Sequence, residues 1–145
     1  MIGSLFNRTA ETAVGIFLTY RTLANATMSF KIEPKAGYLR IALRKREAGE
    51  ALTTAQAVLA AIEEHRARRV LIAVAESDPI FRVEQYNLSG AIERLLKQPG
   101  LRVALVSDSA ELFASHEYVQ FLAAQRGLAL RAFRDESEAG RWLAE

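Results

Sequence analysis

The stretch RVALVSDSAELF, residues 102–113, decides the fold. Val103 to Val106 form an unbroken apolar run, the pattern of a parallel-sheet strand covered on both faces. Ser107, Asp108 and Ser109 interrupt it, and Leu112, His116, Val119, Leu122, Ala123 and Arg126 then recur at helical spacing up to Gly127. Strand, polar turn and helix follow one another within 26 positions of the chain, 102–127, and the same alternation repeats on either side.

Downstream, LALRAF (128–133) is a short strand, and Asp135 with Glu138 caps a last helix that turns Ala139, Trp142 and Leu143 inward. Upstream, VLIAVA (70–75) is a second continuously apolar strand. A helix starting near Val83 and carrying Leu88, Ile92, Leu95 and Leu96 separates the two, ended by Pro99 and Gly100. Before VLIAVA, Thr53 and Gln56 fit a capping box for a helix with Leu52, Ala55, Val58, Leu59 and Ile62, closed by EEHRARR. Earlier still, SFKIE (29–33) and YLRIALR (38–44) alternate around the turn PKAG, which predicts a β-hairpin. The order ββαβαβαβα predicts an α/β fold: a single mixed sheet of about five strands, the N-terminal hairpin antiparallel and the remainder parallel. Right-handed crossovers put the helices mainly on one face.

The chain has 145 residues, a length suited to one domain with a real core. It is 50% apolar and 25% charged, with a formal charge of +2, so no nucleic-acid partner is expected from charge. The absence of Cys excludes disulfides, thiolate metal sites and a Cys nucleophile, and fits the cytoplasm. Two His residues, His65 and His116, rule out a His-rich metal site, and no cofactor is expected. Residues 1–27 form an extension ahead of a domain spanning 28–145. AVGIFL (13–18) is too short for a transmembrane helix. Ala13, Ile16, Phe17, Tyr20, Leu23 and Ala24 keep helical spacing, which suggests an amphipathic helix. A secretory signal ending near ANA (24–26) and a poorly ordered overlong start before Met28 are the other two readings.

At Ser107-Asp108-Ser109 the simplest reading is a helix cap, Asp108 with Glu111 forming the box and Ser109 as the alternative. A helix start also attracts anions, which makes Ser107, Asp108 and Ser109 a candidate anion site. No glycine-rich phosphate loop or Gly-x-Ser-x-Gly elbow accompanies them. His116 lies roughly two turns from Ser109, on the apolar stripe, where a core or rim role is expected.

The tail resembles the SpoIIAA-like, STAS-type domains, a branch grouped with the CRAL-TRIO lipid-transfer fold. The likeness is carried by VALV (103–106), AFRD (132–135), Ala139 and WL (142–143), with YLRIALR and RRVLIAVAE similar to the family's earlier strands; it covers about 29–145. The resemblance implies a non-enzymatic regulatory module. In the anti-sigma-factor antagonists of this family a Ser opening the helix after the third strand is phosphorylated. The corresponding region here, AESDPIFRVEQY, puts Arg82 or Val83 near that place, so the phospho-switch is not carried over.

Two basic clusters, Arg44-Lys45-Arg46 and Arg66-Arg68-Arg69, read as a solvated rim at opposite ends of one crossover. Glu76 and Asp78 follow a parallel strand's carboxyl end, where α/β sheets receive ligands. With Ser77, Ile80, Phe81, Arg82 and Tyr86 they make up the candidate partner or ligand surface. Three functions carry separate expectations. A regulatory module that binds a protein partner or a second copy of itself predicts an exposed apolar patch over 77–88. A carrier or sensor of an apolar or anionic-lipid ligand predicts a cavity lined by Leu, Phe and Val. An enzyme, the least supported, needs a polar cleft at Glu76 and Asp78.

Overall fold

The computed structural model describes the backbone of residues 8–11 and 17–21, and residues 28–82 and 88–145 throughout. Among the described residues, seven strands form one sheet in sequential order. They are β1 (Arg8–Glu11), β2 (Phe17–Arg21), β3 (Ser29–Lys35), β4 (Tyr38–Arg44), β5 (Arg69–Ala75), β6 (Arg102–Ser107) and β7 (Ala129–Phe133). The helices described are α1 (Ala51–His65), α2 (Ser89–Leu96), α3 (Ala110–Gln125) and α4 (Glu136–Ala144), with a 3-10 turn at Ala48–Glu50 leading into α1. Strands β1 to β4 pair antiparallel, and β4 to β7 pair parallel. The expected α/β class, the hairpin and the parallel remainder are all present.

The five strands expected are β3 to β7, and β1 and β2 extend the antiparallel edge beside β3. The helical stripe read across 13–24 does not describe Phe17–Arg21, which pairs with β3 through Thr19 and Ile32. FLTYR is rich in β-branched and aromatic residues, and β3 would otherwise present an unpaired edge. The readings made on 1–7, 12–16 and 22–27 lie outside the described residues, as does the expected first part of α2 at 83–87.

The two-faced strands explain where the helices go. Leu39, Ile41 and Leu43 of β4, Val70, Ile72 and Val74 of β5, and Val103 and Leu105 of β6 point to one face. Val58 and Ile62 of α1, Ile92 of α2 and Leu112 and Ala123 of α3 cover them. Leu71, Ala104, Val106 and Phe133 point to the other face, where α4 lays Ala139 and Leu143 on them. Continuous apolar runs are thus confined to β5 and β6, the strands covered on both sides. In β4 the second face is polar: Arg40 makes a two-pronged bond to Glu136 of α4, at 2.7 and 3.1 Å, and a third bond to Glu33 of β3 at 2.8 Å.

Local signals account for most boundaries. Ala36 and Gly37 make a tight turn between β3 and β4, with Gly37 at φ +91°, a conformation that costs glycine little. Asp135 caps α4 by accepting from the Ser137 and Glu138 amides. Helix α1 begins at Ala51, before the expected Thr53, and the capping box of Glu47 and Glu50 sits on the 3-10 turn that leads into it, the Glu47 amide donating to Glu50 Oε1 at 2.8 Å. Thr54, one turn on, bonds back to the Glu50 carbonyl at 2.7 Å. Arg66 ends α1 in the left-handed conformation, and the Ala67 amide reaches the Ile62 carbonyl at 3.0 Å, a Schellman closure.

Candidate functional site

The carboxyl ends of β4 and β5 turn sharply side by side. Lys45 and Glu76, the residues just beyond each strand, both have positive φ, +59° and +48°. Neither is glycine, so each stores backbone strain that the surrounding bonds must hold. Those bonds knit two loops together. The Arg46 amide donates to Ser77 Oγ at 3.0 Å, the Asp78 amide to the Arg46 carbonyl at 2.9 Å, and the Ala48 amide to Asp78 Oδ2 at 3.0 Å. Ser77 Oγ in turn donates to the Ala75 carbonyl at 2.9 Å. Glu76 pairs with Arg44, and its amide donates to Asp108 Oδ2 at 3.1 Å. Glu76, Ser77 and Asp78 therefore serve as loop fasteners.

The Ser107-Asp108-Ser109 turn resolves in the same way. Ser109 is the cap of α3, accepting from the Leu112 amide at 3.1 Å; Asp108, expected as the cap, faces Glu76 instead. Ser107 is buried and lies 3.5 Å from the Phe133 carbonyl. All three oxygens have internal partners, and Asp108 adds a negative charge where an anion would sit.

Beyond this edge the chain continues under α3. Ser115 of α3 grips the Ile80 backbone from both sides, accepting from its amide at 2.8 Å and donating to its carbonyl at 2.7 Å. The grip pulls Ile80 into the interior, where it caps a cavity of about 160 Å³ between α1, α2, α3 and the sheet. The walls are mainly aliphatic, among them Leu43, Val58, Val74, Ile92, Leu105 and Val119. Among the described residues no phenylalanine contributes, in contrast to the Leu, Phe and Val lining expected. Of the candidate surface residues that are described, only Ile80 lines the cavity; Phe81, 50% exposed, and Arg82 lie at the surface. Tyr86 lies outside the described residues.

Two polar side chains enter this apolar wall. Arg46, 8% exposed, and His116, 5% exposed, both line the cavity. Arg46 belongs to the basic run expected on a solvated rim, yet it is buried, because its loop is strapped down by Ser77 and Asp78. The guanidinium donates to the Asp78 carbonyl. Its Nε and the Nδ1 of His116 find no hydrogen-bond partner among the described residues. Burial lowers the Arg46 pKa, with the charges of Asp78 and Glu50 opposing the shift. Burial, reinforced by the Arg46 charge, lowers His116 to about 4, so its imidazole is neutral at pH 7.

Sequence reasoning placed His116 on the apolar stripe but could not assign it to a cavity, and nothing in RKR (44–46) separates Arg46 from its neighbours. Among the described residues, no group of three His, Cys, Asp or Glu side chains could hold a metal ion, and no helix is long and apolar enough to cross a membrane. Comparison with family models, curated proteins and solved structures finds no match.

Proposed function

We propose that this protein is a non-enzymatic carrier or sensor that takes a small apolar ligand into the cavity beneath α2. The observation that carries the reading is that cavity: aliphatic walls at the carboxyl edge of a parallel sheet, the edge where open α/β sheets receive ligands. A well-packed core of this size would close such a space, since unfilled volume forfeits packing energy. The STAS-type resemblance agrees with binding rather than catalysis, and the cysteine-free chain suits the cytoplasm.

Calorimetry and melting curves of the full chain with 1-hexanol test it. Saturating hexanol is expected to raise the melting temperature of the natural sequence, because a ligand that binds only the folded state stabilises it. The double variant Ala55→Leu, Ala91→Leu places leucines in the cavity wall; it should fold and lose the hexanol response. No heat and no melting shift with hexanol in the natural sequence would refute the reading.

A second reading, a regulatory module that docks a second copy of itself, is favoured by one observation. Phe81 and Phe121 are 50% and 60% exposed, unusual for such large apolar side chains. Sedimentation should then show a mass that grows with concentration and falls back in Phe81→Ser, Phe121→Ser; a monomer at all concentrations rejects it.

A further inference from the structure

The amino edge of the parallel strands carries a hollow of about 390 Å³, between the β3–β4 turn and the segment that joins α1 to β5. Lys35, His65, Arg66, Arg68 and Arg69 line it, and no carboxylate does. Arg69 is engaged by the fold: its guanidinium donates to the carbonyls of Leu143, Arg68 and Gly100 at 3.1, 3.0 and 2.9 Å. Lys35, Arg66 and Arg68 are exposed, and among the described residues no carboxylate lies within ion-pair distance of them. Glu63, in the last turn of α1, holds Arg94 with both oxygens at 2.8 Å, and Glu33 holds Arg40 and Lys31. A chain whose formal charge is only +2 thus gathers three unpaired cations around one hollow.

The helix end alone does not account for them. A helix C-terminus carries about half a negative charge. The last carbonyls of α1 are already met by the Arg66 and Ala67 amides, at 3.2 and 3.0 Å. Three full positive charges exceed that demand several times over. Arg66 adds a second observation. It sits at φ +52°, a left-handed helix end where glycine is preferred, so an arginine there carries backbone strain. Among the described residues no ion pair of its side chain offsets that strain. A concave surface lined by one sign of charge focuses the field and concentrates counter-ions. Arginine and lysine match phosphate oxygens, arginine through paired N–H groups. We infer that this hollow is a site for a small soluble polyphosphate, its negative oxygens held by Lys35, Arg66 and Arg68. The concave form suits a compact anion better than a flat bilayer. The site lies at the opposite edge of the sheet from the apolar cavity and does not rest on the ligand-binding reading above.

Titration calorimetry of the full chain with inorganic phosphate, pyrophosphate and tripolyphosphate tests it, at low salt and pH 7.5. Affinity should rise in that order and fall as salt is added. Arg66→Gly should melt at a higher temperature than the natural sequence, yet bind tripolyphosphate roughly fivefold more weakly. A variant that gains stability while losing binding cannot owe the loss to misfolding. Arg68→Gln, at an exposed position, should weaken binding to a similar degree. Lys45→Gly is the matched control: it also removes a cation from a left-handed position, but at the carboxyl edge, and should bind as the natural sequence does. Equal weakening by Lys45→Gly and Arg66→Gly would mean that diffuse surface charge does the binding, and overturns the site. Undiminished binding in both Arg66→Gly and Arg68→Gln overturns it too. So does the absence of tripolyphosphate heat, including the case in which phosphatidylserine vesicles capture the protein instead.

Discussion

His116 makes stability depend on pH in a window that few other groups share. The unfolded chain holds its imidazole near the ordinary value of 6.5; burial and the Arg46 charge bring the folded value to about 4. Between those two pH values the unfolded state binds a proton that the folded state refuses. Stability therefore rises with pH across the window and is lost as pH falls from 6.5 toward 4. At roughly 1.4 kcal/mol per pH unit, the loss accumulates to about 3 kcal/mol by pH 4, a large share of the total stability of a domain this size. Urea unfolding at half-unit steps from pH 7.5 to 4 reads it directly. His116→Leu removes the titrating group from an apolar wall, so its stability should stay nearly flat over the same range. Glu33 contributes an acid loss of its own. Burial works to raise that carboxyl, but the Arg40 hydrogen bond and the charges of Lys31, Lys35 and Arg40 outweigh it and hold it below its ordinary value. Its stability is lost only as pH falls through that lowered value, and equally in both proteins, so the difference between them isolates His116. A natural sequence whose stability is level from pH 7 to 4.5, or a His116 titration midpoint near 6.5 by NMR, refutes the reasoning.

Other expectations concern the frame around the cavity. Ser115→Ala strands the Ile80 amide and carbonyl, both now held by one hydroxyl; it should cost about 2–3 kcal/mol in urea unfolding and speed amide exchange at Ile80. Arg66→Gly relieves a left-handed residue at a helix end where glycine is preferred, and should raise stability by about 1 kcal/mol, read as a higher melting temperature. Arg40→Met removes the link between the β3–β4 hairpin and α4; with Glu33 and Glu136 partly solvated, a loss of about 1–2 kcal/mol is expected, largest at low salt.

The order of strands and helices was legible because each element carries its own periodic signature. Val103 to Val106 and Val70 to Ala75 are apolar at every position, so they had to be covered on both faces, and the alternation in Tyr38–Arg44 marked a strand covered on one. Asp135 announced α4, and Ala36-Gly37 the hairpin turn. Where two local solutions competed, the sequence left the choice open. Thr53 and Gln56 offer a start for α1, yet the Glu47 and Glu50 box opens a 3-10 turn ahead of it, and Ser109 competes with Asp108 at α3. In each case the winner depends on where a neighbouring loop places its amides. FLTYR (17–21) fits a helix stripe and a strand alike until the free edge of β3 supplies a partner.

The candidate site depended still more on long-range contacts. Sequence alone determined that an α/β sheet would present its carboxyl edge near residue 76, since that follows from strand direction and short-range patterning. Only the tertiary structure decided what stands there. It turned Glu76, Ser77 and Asp78 into fasteners, pulled Ile80 inward through Ser115, and carried Arg46 out of a basic run into the wall of a cavity opposite His116. Burial and hydrogen-bond partnership are properties of groups distant in the chain brought together, and no local pattern around Arg46 encodes the desolvation that sets its charge apart from that of Arg44 and Lys45.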